Sequence, residues 1–384
     1  MLLIKNGKII TMTGVTHENG CVLIENGKIK AVGTKIEESK EYEVIDASGA
    51  WVLPGFIDAH CHIGIFEQDM GFEGSDGNES TDPVTPELRA IDAINPMDSA
   101  FKEAAQAGIT TVMTGPGSAN VIGGQFVAMK TMGVSIDDMI ILEPAAMKVA
   151  FGENPKRIYS SKKQMPSTRM GTAAKLRETL IKAQNYRMKK ERASKKDESF
   201  DIDFKMEALI PVLEKKIPIK AHAHRADDIL TAIRIAREFD LKMTLDHCTE
   251  GHLIVDYIKD CGYPALVGPT LTARKKVETK NKTFKTLGIL SKEGIKTAII
   301  TDHPVVPINY LPLCAAMAVK EGMDMDEAFK AITINAAEIC NIEKRVGSIE
   351  VGKDADIAIF DGNPMEIFTN TLYTIINGKV VYNR

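Results

Sequence analysis

No apolar stretch in this sequence comes near the roughly 20 residues needed to cross a bilayer, so no transmembrane helix is expected. The N-terminus, Met1-Leu-Leu-Ile-Lys5, reads as the start of a strand. It lacks the basic region, apolar region and small-residue cleavage site of a secretory signal. Neither sign of charge is in excess, with 48 basic residues against 52 acidic ones. That balance makes nucleic acid and anionic membrane unexpected as partners. The six cysteines are scattered without paired spacing. A disulfide framework is thereby excluded, and reduced thiols in the cytoplasm are the simplest reading. No repeat of solenoid period is present. The glycines of Gly115-Pro-Gly-Ser-Ala-Asn120 and Gly123-Gly124 lack the spacing and the Lys-Ser/Thr ending of a phosphate cradle, and read as a loop.

What is present divides the 384 residues into three. Residues 1–52 are short alternating strands broken by Asn6-Gly7, Asn26-Gly27 and Ser48-Gly49; residues 345–384 repeat that character through Gly347, Gly352, Asp361-Gly362 and Asn377-Gly378. Neither end carries enough apolar surface for a core of its own, so the two are expected to join in one small β-sandwich. Residues 53–344 alternate apolar runs with amphipathic helices such as 98–107, 205–215 and 227–239. The strand candidates are 56–62, 109–114, 139–143, 217–222, 242–247, 265–270 and 296–301, with 147–151 available as an eighth. That count suits an α/β fold of the (β/α)8 TIM-barrel type, within which the glycine-rich stretch becomes a barrel loop. Residues 182–200 are so highly charged that they read as a solvated helix end and loop.

Seven of the eight histidines fall in four segments. His60 and His62 close the apolar run from Trp51. Spaced i and i+2 on a strand, they point the same way and can meet one metal ion. His222 and His224 end a later strand, His247 the next, and Asp302, in Thr301-Asp302-His303-Pro304, the last. In a barrel, the C-terminal ends of the strands converge on one mouth.

Together, Leu53-Pro-Gly-Phe-Ile-Asp-Ala-His-Cys-His62, Ala331-Ile-Thr-Ile-Asn-Ala-Ala-Glu-Ile-Cys340 and Gly347-Ser-Ile-Glu-Val-Gly-Lys-Asp-Ala-Asp-Ile-Ala-Ile-Phe360 resemble the opening and closing signatures of the amidohydrolase superfamily, in its imidazolonepropionase-like and prolidase-like branch. The resemblance implies a metal-dependent hydrolase of a C–N bond in an amide, cyclic amide or dipeptide, with a small-molecule substrate and, compatibly, a homo-oligomer. It implies one or two divalent ions, zinc first, held by His60, His62 and Asp302 and by His222 and His247. Asp302 would also be the general base for the attacking water. The bridging ligand would be Lys148, carboxylated on its amine, with Glu143 the competing candidate.

One departure bears on the substrate. Imidazolonepropionases and related deaminases carry an acid three residues after the fifth-strand histidine, where this chain has Arg225. A guanidinium stays protonated and cannot shuttle a proton. Heterocycle deamination becomes the second enzymatic reading, and a non-catalytic binding protein on the same fold the third. Arg225 and His224, with Arg169 from the loop 166–171, are then candidates for binding a substrate carboxylate. For both arginines the competing reading is a structural ion pair, Arg225 with Asp227, Asp228 or Glu250.

Overall fold

The structure, a computed structural model, describes residues 1–68 and 70–384. The chain opens with strands β1 (Leu2–Ile10), β2 (Thr16–Glu25), β3 (Lys28–Gly33), β4 (Glu43–Asp46) and β5 (Trp51–Pro54). The central strands are β6 (Phe56–Cys61), β7 (Ile109–Thr114), β8 (Ile122–Lys130), β9 (Ile140–Ala150), β10 (Ile219–Ala223), β11 (Met243–His247), β12 (Ala265–Val267) and β13 (Thr297–Ile299). The chain closes with β14 (Ile357–Phe360), β15 (Thr371–Ile376) and β16 (Lys379–Asn383).

Both chain ends do build one unit. Its order is β16-β15-β14-β5-β1-β2-β3, with β4 beside β1. The ends meet where β14 pairs antiparallel with β5, Ile357 opposite Pro54 and Phe360 opposite Trp51. Ile4, Ile9, Val22 and Val52 from one end pack with Ile357, Ile359 and Ile375 from the other. Asn26-Gly27 and Asn377-Gly378, all at positive φ, turn β2 into β3 and β15 into β16, as their type predicts. Asn6-Gly7 does something else. It lies inside β1 as an irregularity, where the strand passes from pairing with β4 to pairing with β5. A Cβ on Gly7 would come within 2.7 Å of Val52, so the glycine serves a close approach rather than a turn.

The eight strands β6 to β13 follow one another in a single sheet. The sheet rolls up so that its first and last strands meet. Asp302 N donates to His60 O at 3.2 Å and His62 N to His303 O at 2.9 Å. Buried Asp58 accepts from the Thr301 amide across the same seam. The barrel expected from sequence is therefore present, with one correction to its strands. Segments 139–143 and 147–151 are parts of one strand, β9, and the eighth strand is β8, which covers the Gly123-Gly124 stretch read as loop. Pro144 cannot donate to a ladder. Here the partner strand shifts register at that point, from Phe126 opposite Ala146 to Ala128 opposite Leu142. β8 runs antiparallel to both neighbours, while the other adjacent pairs are parallel.

The predicted helices form with small shifts of boundary. Asp98 caps Ser99–Gln106 by accepting from Ala100 N, and Asp203 caps Phe204–Leu213 by accepting from Met206 N. The helix Ala226–Glu238 starts from Arg225 without a side-chain cap, and Asp227 sits in its first turn. The charged run near 182–200 is mostly the second half of one 28-residue helix, Arg169–Lys196, capped by Thr168. Ala183, Tyr186 and Ala193 are its buried residues there, so a narrow apolar stripe holds an otherwise solvated helix. The barrel is tied to the terminal sheet by Lys130, at 2.5 Å from Asp356 and 2.9 Å from Asp354, and by Phe56 stacked on Phe360. Among the described residues no helix is long and apolar enough to cross a membrane.

Candidate metal centre

His60 lies on β6 and His62 just past it; His222 lies on β10, and His247 ends β11. All four are buried. Asp302 follows β13 by three residues. His247 and Asp302 both have positive φ, 71° and 54°, a conformation that costs roughly 1–3 kcal/mol in a non-glycine residue. The surrounding barrel holds them there, and the sharp bend aims both side chains into the mouth.

Two donor groups result: His60, His62 and Asp302 in one, His222, His224 and His247 in the other. Within each, the donor atoms lie within 4.8 Å of one another. Asp302 Oδ1 is 3.2 Å from His62 Nε2 and 3.6 Å from His60 Nε2. Three imidazoles have their Nδ1 engaged from behind. His60 Nδ1 meets Asp246 Oδ2 at 2.6 Å, His62 Nδ1 meets Gly115 O at 2.6 Å, and His247 Nδ1 meets Gly268 O at 2.8 Å. A ring that donates its Nδ1 proton to an oxygen leaves an Nε2 lone pair facing inward, the arrangement that metal-ligating histidines adopt. His222 Nδ1 is buried with no hydrogen-bond partner among the described residues. An orphaned imidazole nitrogen beside such lone pairs fits a cation that would satisfy them. Nitrogen and carboxylate oxygen donors suit zinc and its neighbours.

The electrostatics agree. Burial, with Lys148 nearby, drives the His60 pKa well below its ordinary value, and burial does the same to His222 and His224. Neutral imidazole is the form that binds metal. Asp246 goes the other way. Burial opposes its charge, but Lys220 at 3.1 Å and His60 outweigh burial and keep it ionised.

Lys148 is fully buried on β9, with Nζ 3.2 Å from His60 Nε2 and 5.5 Å from the centre of the Phe126 ring. Burial lowers its pKa to about 8, which makes free amine accessible near neutral pH. Glu143 is not brought to the site; its carboxylate faces Arg89 at 3.9 Å.

The three candidates for substrate binding are placed differently. Arg225 forms a two-pronged pair with Asp227, 2.9 Å at each contact, and Arg169 is held by Asp228 at 3.0 and 3.1 Å. Neither lines the cavity over the metal centre. Each guanidinium has a carboxylate close in sequence or in the fold, and the local pair wins. His224 does line the cavity. Its Nδ1 meets Thr249 Oγ1 at 2.7 Å, and it stands beside His222 and His247 as a further donor. Sequence reasoning missed Asp246 and Lys220, whose side chains are pinned behind His60, and Lys276, which binds Asn154 at 2.7 Å. The signal for Asp246 was its place next to His247, on the strand that ends at the mouth.

The sequence profile of the amidohydrolase family matches residues 51–381. An amidohydrolase, tasK, from Hapsidospora irregularis is 28% identical over 95% of this chain, which spans 40% of that relative's length. An imidazolonepropionase from Fusobacterium nucleatum is 26% identical over 96% of this chain and 93% of its own. Among solved structures, an amidohydrolase from Thermotoga maritima is 44% identical, with a TM-score of 0.97 and both chains covered in full.

Proposed function

Because the chain belongs to the amidohydrolase family, whose members are hydrolases and deaminases acting on C–N bonds, we propose that it hydrolyses a C–N bond of a small amide, cyclic amide or dipeptide. The observation that carries this reading is the set of donors, His60, His62 and Asp302 beside His222 and His247, of which His62, His222 and Asp302 line one cavity. Zinc is the ion we propose there, with His60, His62 and Asp302 holding one ion and His222 and His247 a second. Lys148, carboxylated, would lie between the two sets. Such ions supply Lewis acidity, polarising the scissile carbonyl and lowering the pKa of water.

The chain's own residues do the rest. Asp302 accepts at its carboxylate the proton lost by the attacking water and returns it to the departing nitrogen, so no bulk proton is needed. Asp246 fixes the plane and tautomer of His60, and Gly115 O and Gly268 O do the same for His62 and His247. The cavity, about 390 Å³, admits a small molecule and not a folded partner. His224 on its wall would contact the substrate. Deamination is less well supported, because the position where deaminases carry a proton-shuttling acid holds Arg225, already paired with Asp227.

The test is metal content by plasma mass spectrometry, followed by a screen of N-acyl amino acids, dipeptides and cyclic amides. About two equivalents of metal per chain and amide hydrolysis that Asp302→Asn abolishes are expected. Absence of bound metal after reconstitution with zinc would move the chain to the binding-protein reading.

A further inference from the structure

The wall of the cavity above the metal centre is strongly one-sided in charge. After β12 the chain runs through Arg274-Lys275-Lys276-Val-Glu-Thr-Lys280-Asn-Lys282-Thr-Phe-Lys285, six basic residues and one acid in twelve. Lys275, Lys276 and Lys282 of this segment line the cavity, and Phe66, Pro304 and Val305 are among its apolar lining residues. Among the described residues the one carboxylate lining the cavity is Asp302, which is grouped with His60 and His62.

Among the described residues these ammonium groups have one carboxylate partner, Glu278 beside Lys276. Lys282 is buried, and among the described residues its Nζ is bonded only to neutral oxygens: Thr272 O at 2.6 Å, Thr272 Oγ1, and Ala273 O at 3.3 Å. Lys275 is exposed and has no ion-pair partner among the described residues. Lys276 gives one proton to Asn154 Oδ1 at 2.7 Å and lies 3.5 Å from Glu278 Oε1. Glu278 itself is buried, and that oxygen has no hydrogen-bond partner. Its other oxygen accepts from Glu153 N at 2.9 Å. An ammonium has three donors, so Lys276 Nζ, with one donor on Asn154 and Glu278 at 3.5 Å, keeps capacity toward the cavity. Lys282 is thus a buried cation without a counter-charge among the described residues, which is unfavourable unless something negative arrives to offset it.

We infer that this site selects amides bearing a carboxylate, and that Lys276 is the residue that reads the carboxylate, within a positive field to which Lys275 and Lys282 contribute. The inference rests on the hydrolase reading above and names its substrate class. It replaces Arg225 and Arg169 as the source of anion recognition. The neutral lining at Phe66, Pro304 and Val305 is left for the apolar part of the substrate.

The experiment compares matched probes: the N-acetyl derivatives of alanine, leucine and phenylalanine, each as the free acid and as the methylamide. Binding is measured by calorimetry on metal-stripped protein, and acetate release on the metal-loaded enzyme. The wild-type protein is expected to favour each acid over its methylamide, and Lys276→Gln to reduce that preference about 10- to 100-fold. Lys276→Arg, which keeps the charge, is expected to restore most of it, and raised salt to weaken it. Equal binding of acid and methylamide by the wild type, no binding of either, or a preference unchanged in Lys276→Gln would each overturn the inference. Preferential binding of the acids without any acetate release would leave it standing and count against the hydrolase reading. Acetate release at equal rates from acids and methylamides would do the reverse.

Discussion

His60 Nδ1 and Asp246 Oδ2 lie 2.6 Å apart, both side chains fully buried, although 186 residues separate them. Lys220 stands 3.1 Å behind the same carboxylate oxygen. The chain Lys220–Asp246–His60 therefore runs across three strands of the barrel and ends on the imidazole Nε2 that faces Asp302 and Lys148. This chain of contacts fixes the neutral ring, and the charges of Lys220 and Asp246 cancel only while both are present.

That chain of contacts separates two roles. Asp246→Asn is expected to weaken metal binding about 10- to 100-fold, because His60 loses its orienting acceptor. It also strands the Lys220 ammonium, at a cost of about 3–5 kcal/mol of stability. Adding Lys220→Met should recover much of the stability and none of the affinity. Chelator competition and urea unfolding on the two variants measure the two effects independently; recovery of affinity in the double variant would count against a positioning role.

Asp302→Asn is expected to lower kcat by about 10²- to 10⁴-fold in a chain that still folds, since the substitution keeps the shape and removes the proton acceptor and a carboxylate donor to the proposed metal. Steady-state kinetics alongside a thermal melt decide it. An active Asp302→Asn enzyme would sink the proposed mechanism.

Lys148→Ala and Glu143→Ala discriminate the two candidates for the bridging position. Lys148 lies against His60 and Glu143 against Arg89, so metal content should fall in the first variant and hold in the second. The reverse result would reassign the bridge.

Acid stability has a predicted source away from the metal centre. At Asp354 burial opposes ionisation, but Lys130, Lys28 and Arg345 outweigh it and hold the carboxyl at about 2. A depressed carboxyl stabilises the fold at pH values above its unfolded-state range near 4, and that contribution fades as pH falls from about 4 through 2. The shift corresponds to about 2 kcal/mol. Asp354→Asn should therefore lower the urea midpoint at pH 7, and the gap from wild type should close towards pH 2–3. A gap constant with pH would mean that Asp354 acts through packing alone.

Chelation of the metal-loaded protein should lower its melting temperature, with recovery on adding zinc, because an ion that binds only the folded state stabilises it by mass action. The same shift should be absent in His60→Ala. A melting temperature indifferent to chelator would argue that the donor groups hold no ion in the folded protein.

The overall plan of the molecule was legible because it rests on local signals. Strand periodicity and Asn-Gly turns mark the two chain ends, and apolar runs ending in His60, His222, His247 and Asp302 mark the barrel mouth. What misled were residues whose local meaning depends on a distant partner. Segments 139–143 and 147–151 read as separate strands until β8 supplies a register shift opposite Pro144, and Gly7 reads as a turn until Val52 packs against its bare Cα.

The amino-acid sequence alone determined the barrel with its terminal sheet and the donors that could meet a metal, because strand ends converge whatever the connecting loops do. Only the tertiary structure decided who stands next to whom beyond those ends. It gave Arg225 to Asp227 and Arg169 to Asp228, put Asp246 behind His60, and turned the basic segment after β12 onto the cavity wall. The reason is range. A side chain's charge acts over a few ångströms in a folded interior, so its function is set by neighbours that the chain brings together from far apart in sequence.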